Sequence, residues 1–222
     1  MSDCNMVQQT TVRHLLTAGS ELVLATHNKG KLHEFMQLMA PYNIRVRSAG
    51  EFQLDEPEET EDSFEGNAAL KALAAAKATG LPALADDSGF CVVALDGLPG
   101  IYSARWSGPE RDMHHAMKRV HDEMVASGNE NQSACFVAVL CLAWPDGTKY
   151  FVRGECHGEV CWPPRGEYGH GYDPMFIPAA ELRKYDKTAR TFAEMGEDEK
   201  NHYSHRGIAF RKFIESCVVA CG

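Results

Sequence analysis

Ala85-Asp86-Asp87-Ser88-Gly89 sets two adjacent carboxylates at the end of an apolar run, and Phe90 to Leu95 resumes strand character beyond them. Such a pair is costly to hold in apolar surroundings unless a cation or a proton-transfer task keeps it there. Two readings stand. Asp and Ser bond readily to nearby backbone N–H groups, so the segment can close a turn with Ser88 and Gly89, although a turn needs only one of the aspartates. Alternatively, both carboxylates bind Mg²⁺ and deprotonate or orient a water, the ion offsetting their repulsion and the charge on a phosphate.

Upstream, Glu21 to Thr26 (ELVLAT) reads as a buried strand, and Leu32, Phe35, Met36 and Met39 then recur at helical spacing. A short strand follows at Ile44 to Val46, and Asp55 to Asp62 carries six carboxylates in eight positions, an acidic loop. Asp62-x-x-Glu65 suits a capping box for an Ala-rich helix to Thr79, stopped by Gly80 and Pro82, after which a strand runs into the paired aspartates. Downstream, turns at Asp96-Gly97 and Pro99-Gly100 lead to a helix near Arg111 to Val125. Ser133 to Trp144, Pro145-Asp146-Gly147 and Thr148 to Cys156 form a long hairpin, so the sheet is mixed. Thr191-x-x-Glu194 marks another helix start, and Phe210, Phe213, Ile214 and Cys217 stripe a final helix. With no repeat or interdomain linker, residues 21–222 read as one α/β domain behind a loosely ordered extension, Met1 to Ser20.

Composition narrows the function. A chain of 222 residues with 44% hydrophobic content is long enough for a sizeable core, and a net charge of −9 argues against broad binding to a nucleic acid backbone. An anionic small substrate then needs a local basic pocket, a divalent metal, or both. The eight cysteines form no C-x-x-C pair and several lie in apolar runs, so they read as buried reduced thiols of a cytosolic protein. No apolar run approaches the roughly 20 residues of a membrane span.

Three further clusters carry chemistry. Thr26-His27-Asn28-Lys29-Gly30-Lys31 places two amines, an amide and a hydroxyl where a strand feeds a helix, and free N–H groups there favour phosphate. Equally, Thr26 or Asn28 merely caps the helix. A P-loop is disfavoured, since Ala25 stands where its leading glycine belongs and Leu32 where its metal-binding hydroxyl belongs. Gly169-His170-Gly171-Tyr172-Asp173-Pro174 suits stacking and hydrogen bonding to a planar ring, or is a tight glycine turn. Lys200 and Ser204-His205-Arg206-Gly207 supply donors at the start of the last helix. Lys71, alone in mid-helix, would ordinarily be exposed, and Glu58 and Glu59 can add a metal contact to a loop that is otherwise solvated.

In this order the segments resemble the inosine/xanthosine triphosphate pyrophosphatase family. The likeness covers roughly Glu21 to Val219, through [ST]-x-N-x-x-K at Thr26 to Lys31, N-A-x-x-K at Asn67 to Lys71 and A-D-D-S-G at Ala85 to Gly89. It continues in P-G-x-Y-S-A-R at Pro99 to Arg105, G-x-G-Y-D-P at Gly169 to Pro174 and E-K-x-x-x-S-H-R-G at Glu199 to Gly207. The resemblance implies an elongated, two-lobed α/β fold around a long mixed sheet with flanking helices, a substrate cleft between the lobes, and a homodimer. It implies Mg²⁺-dependent hydrolysis of non-standard purine nucleoside triphosphates (ITP, dITP, XTP) to monophosphate and pyrophosphate, clearing deaminated purines from the nucleotide pool. Thr26 to Lys31 would hold phosphate, and Lys31 and Lys71 would neutralise transition-state charge. Asp87 would be metal ligand and proton acceptor, Asp86 would assist, Ser88 would touch substrate, and Glu59 would be a further metal partner. His170, Gly171, Tyr172, Asp173, Lys200, His205 and Arg206 would frame the base.

Selectivity would follow from the oxygen that replaces an amino group at purine C6. Donors from His205, Arg206 or nearby backbone are satisfied by it and left unpaired by adenine, a loss of about 1–3 kcal/mol per buried group. His27 and His170 depart from the family pattern, a small residue and a phenylalanine being usual there. A base stacked on the His170 imidazole would give substrate affinity that varies between about pH 6 and 8. A pyrophosphatase for modified pyrimidines or a wider triphosphate range, and a nucleotide sensor without turnover, are the competing functions; no nucleic acid or membrane partner is expected.

Overall fold

The computed structural model describes residues 14–182 and 189–219, apart from the side chains of Lys29 and Glu34. Strand β1 (Glu21–Leu24) leads to helix α1 (Lys29–Met39), strand β2 (Arg45–Ser48) and helix α2 (Phe64–Thr79). Then come β3 (Ala83–Val92), β4 (Pro99–Gly100), α3 (Met113–Ser127), β5 (Ser133–Ala143) and β6 (Lys149–Val160). The chain closes with β7 (Phe176–Pro178), α4 (Ala179–Leu182), α5 (Glu197–Tyr203) and α6 (His205–Cys217). The strands join one mixed sheet in the order β2-β1-β3-β5-β6-β7, parallel at β2-β1-β3 and antiparallel onward, with β4 paired to β3.

The paired aspartates do not close a turn. β3 runs straight through them, with Asp86 opposite Leu140 and Asp87 opposite Val139 on β5. On its other edge β3 pairs with β1 at Ala83 and Leu84 and with β4 at Phe90 and Cys91. Between these, Ala85 to Gly89 have no strand beside them among the described residues, so a stretch of backbone in the middle of the sheet is left open on one side. Gly89 serves the far end of that gap: a Cβ there would sit 2.2 Å from the Gly100 carbonyl oxygen, so only glycine lets β4 approach.

Apolar clusters cover both faces of the sheet. Ala68, Ala72, Ala75 and Ala76 of α2 pack on Ala83, Ala85, Val139 and Cys141, the small side chains bringing the helix close. Phe35 and Met39 of α1 and Phe210 and Phe213 of α6 pack on Leu84, Leu140 and Leu142, the opposite face. A third cluster around Phe90, Phe136, Phe176 and Phe192, with Met117 and Val120 of α3, fills the far end of the long hairpin.

Local chemistry sets the helix ends, with some departures from expectation. Ser63, not Asp62, caps α2 by accepting from the Gly66 N–H, and Glu65 pairs with Arg153 instead of completing a box. The capping box at Thr191 and Glu194 forms, but opens only a three-residue turn of 3₁₀-helix. Val93–Leu95 is likewise 3₁₀-helix and not strand. Of the extension expected over Met1–Ser20, the part from His14 belongs to the fold: Leu16 is buried and its N–H donates to the Cys217 carbonyl. Residues 1–13, with Cys4, and 220–222, with Cys221, lie outside the described residues. The six described cysteines are free thiols, and no described helix is long and apolar enough to cross a membrane.

Candidate active site

Successive residues of a strand point to opposite faces, so Asp86 and Asp87 serve two different environments. The expectation that both bind one ion against their mutual repulsion is thereby corrected. Asp87 faces α2, where Lys71 Nζ reaches its Oδ1 at 3.0 Å and Glu59 Oε1 at 2.7 Å. Asp86 faces α1 and α6, where Arg206 Nε donates to its Oδ2 at 2.9 Å and Lys31 Nζ lies 3.3 Å away. Ser88, on the Asp86 side, accepts from Lys31 Nζ at 3.2 Å and from Arg206. The open backbone stretch is where the two environments meet.

Their protonation differs accordingly. Burial, only partly relieved by Lys71, raises the Asp87 carboxyl to about 6. Against the same cost of burial, Lys31 and Arg206 hold Asp86 far below the usual carboxylate range. Burial lowers the Lys31 ammonium, Arg206 and Lys71 adding to the effect, whereas Asp87 and Glu59 raise Lys71 despite its burial. Lys71, 6% exposed, is therefore a pinned cation and not the solvated lysine that its mid-helix place suggests. One carboxylate oxygen on each aspartate, Asp86 Oδ1 and Asp87 Oδ2, is buried with no partner among the described residues.

The segment Thr26 to Lys31 behaves first as a helix start. Asn28 Oδ1 accepts from the Gly30 and Lys31 N–H groups, and Thr26 Oγ1 accepts from the Asn28 N–H. The Asn28, Gly30 and Lys31 amides are thus occupied locally, and the Lys31 side chain is what reaches Asp86 and Ser88. His27 is turned to a smaller cavity of about 190 Å³ that it shares with Lys71 and the acidic loop. The Lys29 side chain lies outside the described residues.

Of the residues expected to frame a base, His170, Lys200, His205 and Arg206 line a cavity of about 300 Å³, together with Tyr168 and Asn201 among others. His205, at the start of α6, stacks on Phe136 with 4.8 Å between ring centroids, and its Nδ1 has no partner among the described residues. Burial and the adjacent Arg206 push this imidazole well below its ordinary range, so it is neutral. Tyr172 differs from expectation: its ring stacks on Phe90 in the core and its hydroxyl donates to the Ser103 carbonyl, so it anchors the segment from beneath and offers no face to a base. Asp173 is likewise inward, accepting from the His170 N–H and from Lys200 Nζ. Lys200 and Asp173 form a buried pair under the cavity floor, and Gly171 turns the chain at φ +67°.

Gly169 makes that floor possible, since at φ +76° a Cβ would lie 2.2 Å from Asp173 Oδ2. Gly169→Ala is expected to displace Asp173 and with it Lys200 and His170, raising KM for the substrate by about 10²-fold while far-UV circular dichroism stays parental. An unchanged KM would show that the floor tolerates the shift.

His170 does not carry the expected pH response. Desolvation at the cavity, followed by Lys200, lowers its imidazole to about 4, so it is neutral throughout the range between about pH 6 and 8. His170→Phe is expected to change KM without changing how KM varies with pH in that range; a pH dependence that disappears in the variant would reverse this conclusion.

Sequence reasoning gave no role to Arg105, whose guanidinium donates to the Glu59 carbonyl at 2.8 Å and ties the acidic loop to the site. It also passed over Tyr168 and Asn201 on the cavity wall. Arg105 stands inside P-G-x-Y-S-A-R, and Tyr168 directly precedes Gly169, so position beside a motif was the available signal.

Residues 22–216 match the sequence model of the Ham1 family. The chain is 62% identical over 203 residues to the dITP/XTP pyrophosphatase of Gluconobacter oxydans (strain 621H), covering 91% of this chain and 93% of the relative. It is 53% identical over 201 residues to the dITP/XTP pyrophosphatase of Rhodospirillum centenum (strain ATCC 51521 / SW), covering 90% and 96%. The solved Ham1 protein from Coxiella burnetii superposes with a TM-score of 0.81 at 37% identity, over 87% of this chain and 96% of that one. The nucleoside-triphosphatase / dITP/XTP pyrophosphatase from Mycobacterium abscessus gives a TM-score of 0.72 at 34% identity, over 87% and 98%.

Proposed function

The chain belongs to the Ham1 family, and on that premise we propose that it hydrolyses the non-standard purine nucleoside triphosphates ITP, dITP and XTP to the monophosphate and pyrophosphate. The observation that carries this reading is the placing of one partly proton-hungry carboxylate, Asp87, beside the buried Lys71, with Lys31 across the same strand, at an opening in the sheet next to a cavity of about 300 Å³. The base occupies that cavity and the triphosphate lies along the open stretch of β3.

The Asp87 carboxylate, held by Lys71 through Oδ1, takes the proton of the attacking water. The water oxygen bonds to the α-phosphorus as the bond from that phosphorus to the α–β bridging oxygen breaks, and the electron pair leaves with pyrophosphate. Lys31, Arg206 and the Ser88 hydroxyl offer donors from one face of the strand, and Lys71 holds the Asp87 and Glu59 carboxylates at fixed separation on the other. Asp86 touches no substrate in this scheme; it is the counter-charge that positions Lys31 and Arg206.

The orphaned Asp87 Oδ2 and the adjacent Glu59 carboxylate fit a hard divalent cation, so they would hold Mg²⁺. Bound there, Mg²⁺ supplies charge neutralisation for the phosphates and a more acidic water. His205, neutral and with Nδ1 unpartnered, is the side chain best placed to read the C6 oxygen. The reduced thiols fit a cytoplasmic enzyme, and the family likeness supports a homodimer.

Incubation of ITP with enzyme and Mg²⁺, with pyrophosphate resolved from orthophosphate, tests the reaction. Pyrophosphate and IMP as direct products are expected, with ATP turned over at least about tenfold more slowly. Orthophosphate as the first product would overturn the cleavage between α and β, and binding without product would make the protein a sensor.

A further inference from the structure

Away from this site, the hairpin strands bring a second set of donors together. Cys135 of β5 stands opposite His157 of β6, and Glu155 lies two residues before His157, so all three share one face of the sheet. One ligand atom from each, the Cys135 sulfur, a Glu155 oxygen and a His157 ring nitrogen, lies within 4.8 Å of the others, the group of this kind found among the described residues. We propose that Cys135, Glu155 and His157 form a second metal site, distinct from the carboxylates at Asp87, that takes a thiophilic divalent cation of the zinc class.

The donor set decides the class. Thiolate and imidazole favour Zn²⁺, Co²⁺ or Cd²⁺, whereas Mg²⁺ requires oxygen ligands, so the two sites discriminate by chemistry. The supporting residues are also present. Arg153 Nε holds Glu155 Oε1 at 2.6 Å and Arg153 Nη1 holds Glu65, which leaves Glu155 Oε2 turned to His157 Nε2 at 3.3 Å. A carboxylate oriented in this way limits the side-chain entropy lost on binding. Cys91 of β3 lies opposite Cys135, next to the three donors.

Binding is a proton exchange: the Cys135 thiol, which now donates to the Phe136 carbonyl, loses its proton to solvent as the sulfur bonds to the cation. The thiol stays protonated until then, because burial raises it to about 12. By alternation along β3, Cys91 shares a face with Asp87 about 13 Å away, so a cation here fastens the hairpin on the catalytic side of the sheet without touching the catalytic carboxylates.

The test is titration of the metal-free, reduced protein with Co²⁺ in excess Mg²⁺, followed in the near ultraviolet for thiolate-to-cobalt charge transfer and by thermal shift with Zn²⁺. The parent is expected to show the band and a Zn²⁺-dependent rise in Tm. His157→Ala, at an exposed position, and Cys135→Ser are each expected to weaken Co²⁺ binding by more than the about 10–100-fold that loss of a supporting residue costs, Cys135→Ser also removing the band. Both keep Mg²⁺-supported turnover, and Asp87→Asn keeps the band. No band in the parent, or a band that both variants retain, would overturn the site. Neither metal readout depends on turnover, so the result is independent of the substrate.

Discussion

Asp87→Asn is expected to lower ITP turnover by about 10²–10⁴-fold while leaving the protein folded and, without divalent cation at pH above neutrality, at least as stable as the parent. The two effects have one origin. Burial raises the folded-state carboxyl to about 6 from its ordinary 3.8, so the contribution of Asp87 to stability is greatest below the ordinary aspartate range and is lost as pH rises through about 6. At alkaline pH the folded protein thus holds a carboxylate at a cost of up to about 3 kcal/mol, which the amide does not incur. Lys71 keeps Glu59 as a partner at 2.7 Å, so the substitution strands no cation. Thermal unfolding across about pH 4 to 8, with and without Mg²⁺, and steady-state release of pyrophosphate check both effects. A variant that turns over at parental rate would remove Asp87 as the proton acceptor.

The second large effect lies on the other face of the same strand. Arg206→Ala leaves the Asp86 carboxylate, its side chain 1% exposed, with Lys31 at 3.3 Å as its remaining ion pair, and is expected to cost about 3–5 kcal/mol of folding free energy. Here the sign is reversed. Asp86 is held below its ordinary range, so its contribution is present above that range and is lost as pH falls through its folded value. The loss caused by Arg206→Ala therefore shrinks in acid, where the stranded carboxyl protonates. Asp86→Asn combined with Arg206→Ala is expected to recover part of it at neutral pH, since no buried charge is left. Urea unfolding of the single and double variants measures this; a double variant no more stable than Arg206→Ala would show that packing, and not charge, is what Arg206 contributes.

Much of the fold was legible because its determinants are local. The β5–β6 hairpin, the Ala-rich α2 with Gly80 at its end, and the mixed sheet follow from apolar periodicity and turn residues within short windows. The convergence of Lys31, Lys71, Asp86, Asp87, His205 and Arg206 was legible only through motif order, because Arg206 and Asp86 are 120 positions apart and no local pattern links them. Asn28 takes the helix-cap reading that the sequence had left open beside the phosphate one, while two features escaped: Tyr172 turns into the Phe90 cluster, and Asp173 pairs with Lys200. In each case the residue type is compatible with a ligand and with the scaffold, and only the surrounding packing decides between them.

The pleat imposes one last requirement. Because the acidic dipeptide straddles a strand bonded along its length to β5, sliding that strand by a single peptide unit would swap the occupants of the two compartments, presenting Asp87 to the arginine and Asp86 to the helix of alanines. Such a one-residue shift of β3 against β5 would invert the chemistry without altering any functional side chain. The register of this strand is therefore as much a determinant of the two environments as the identity of the acids.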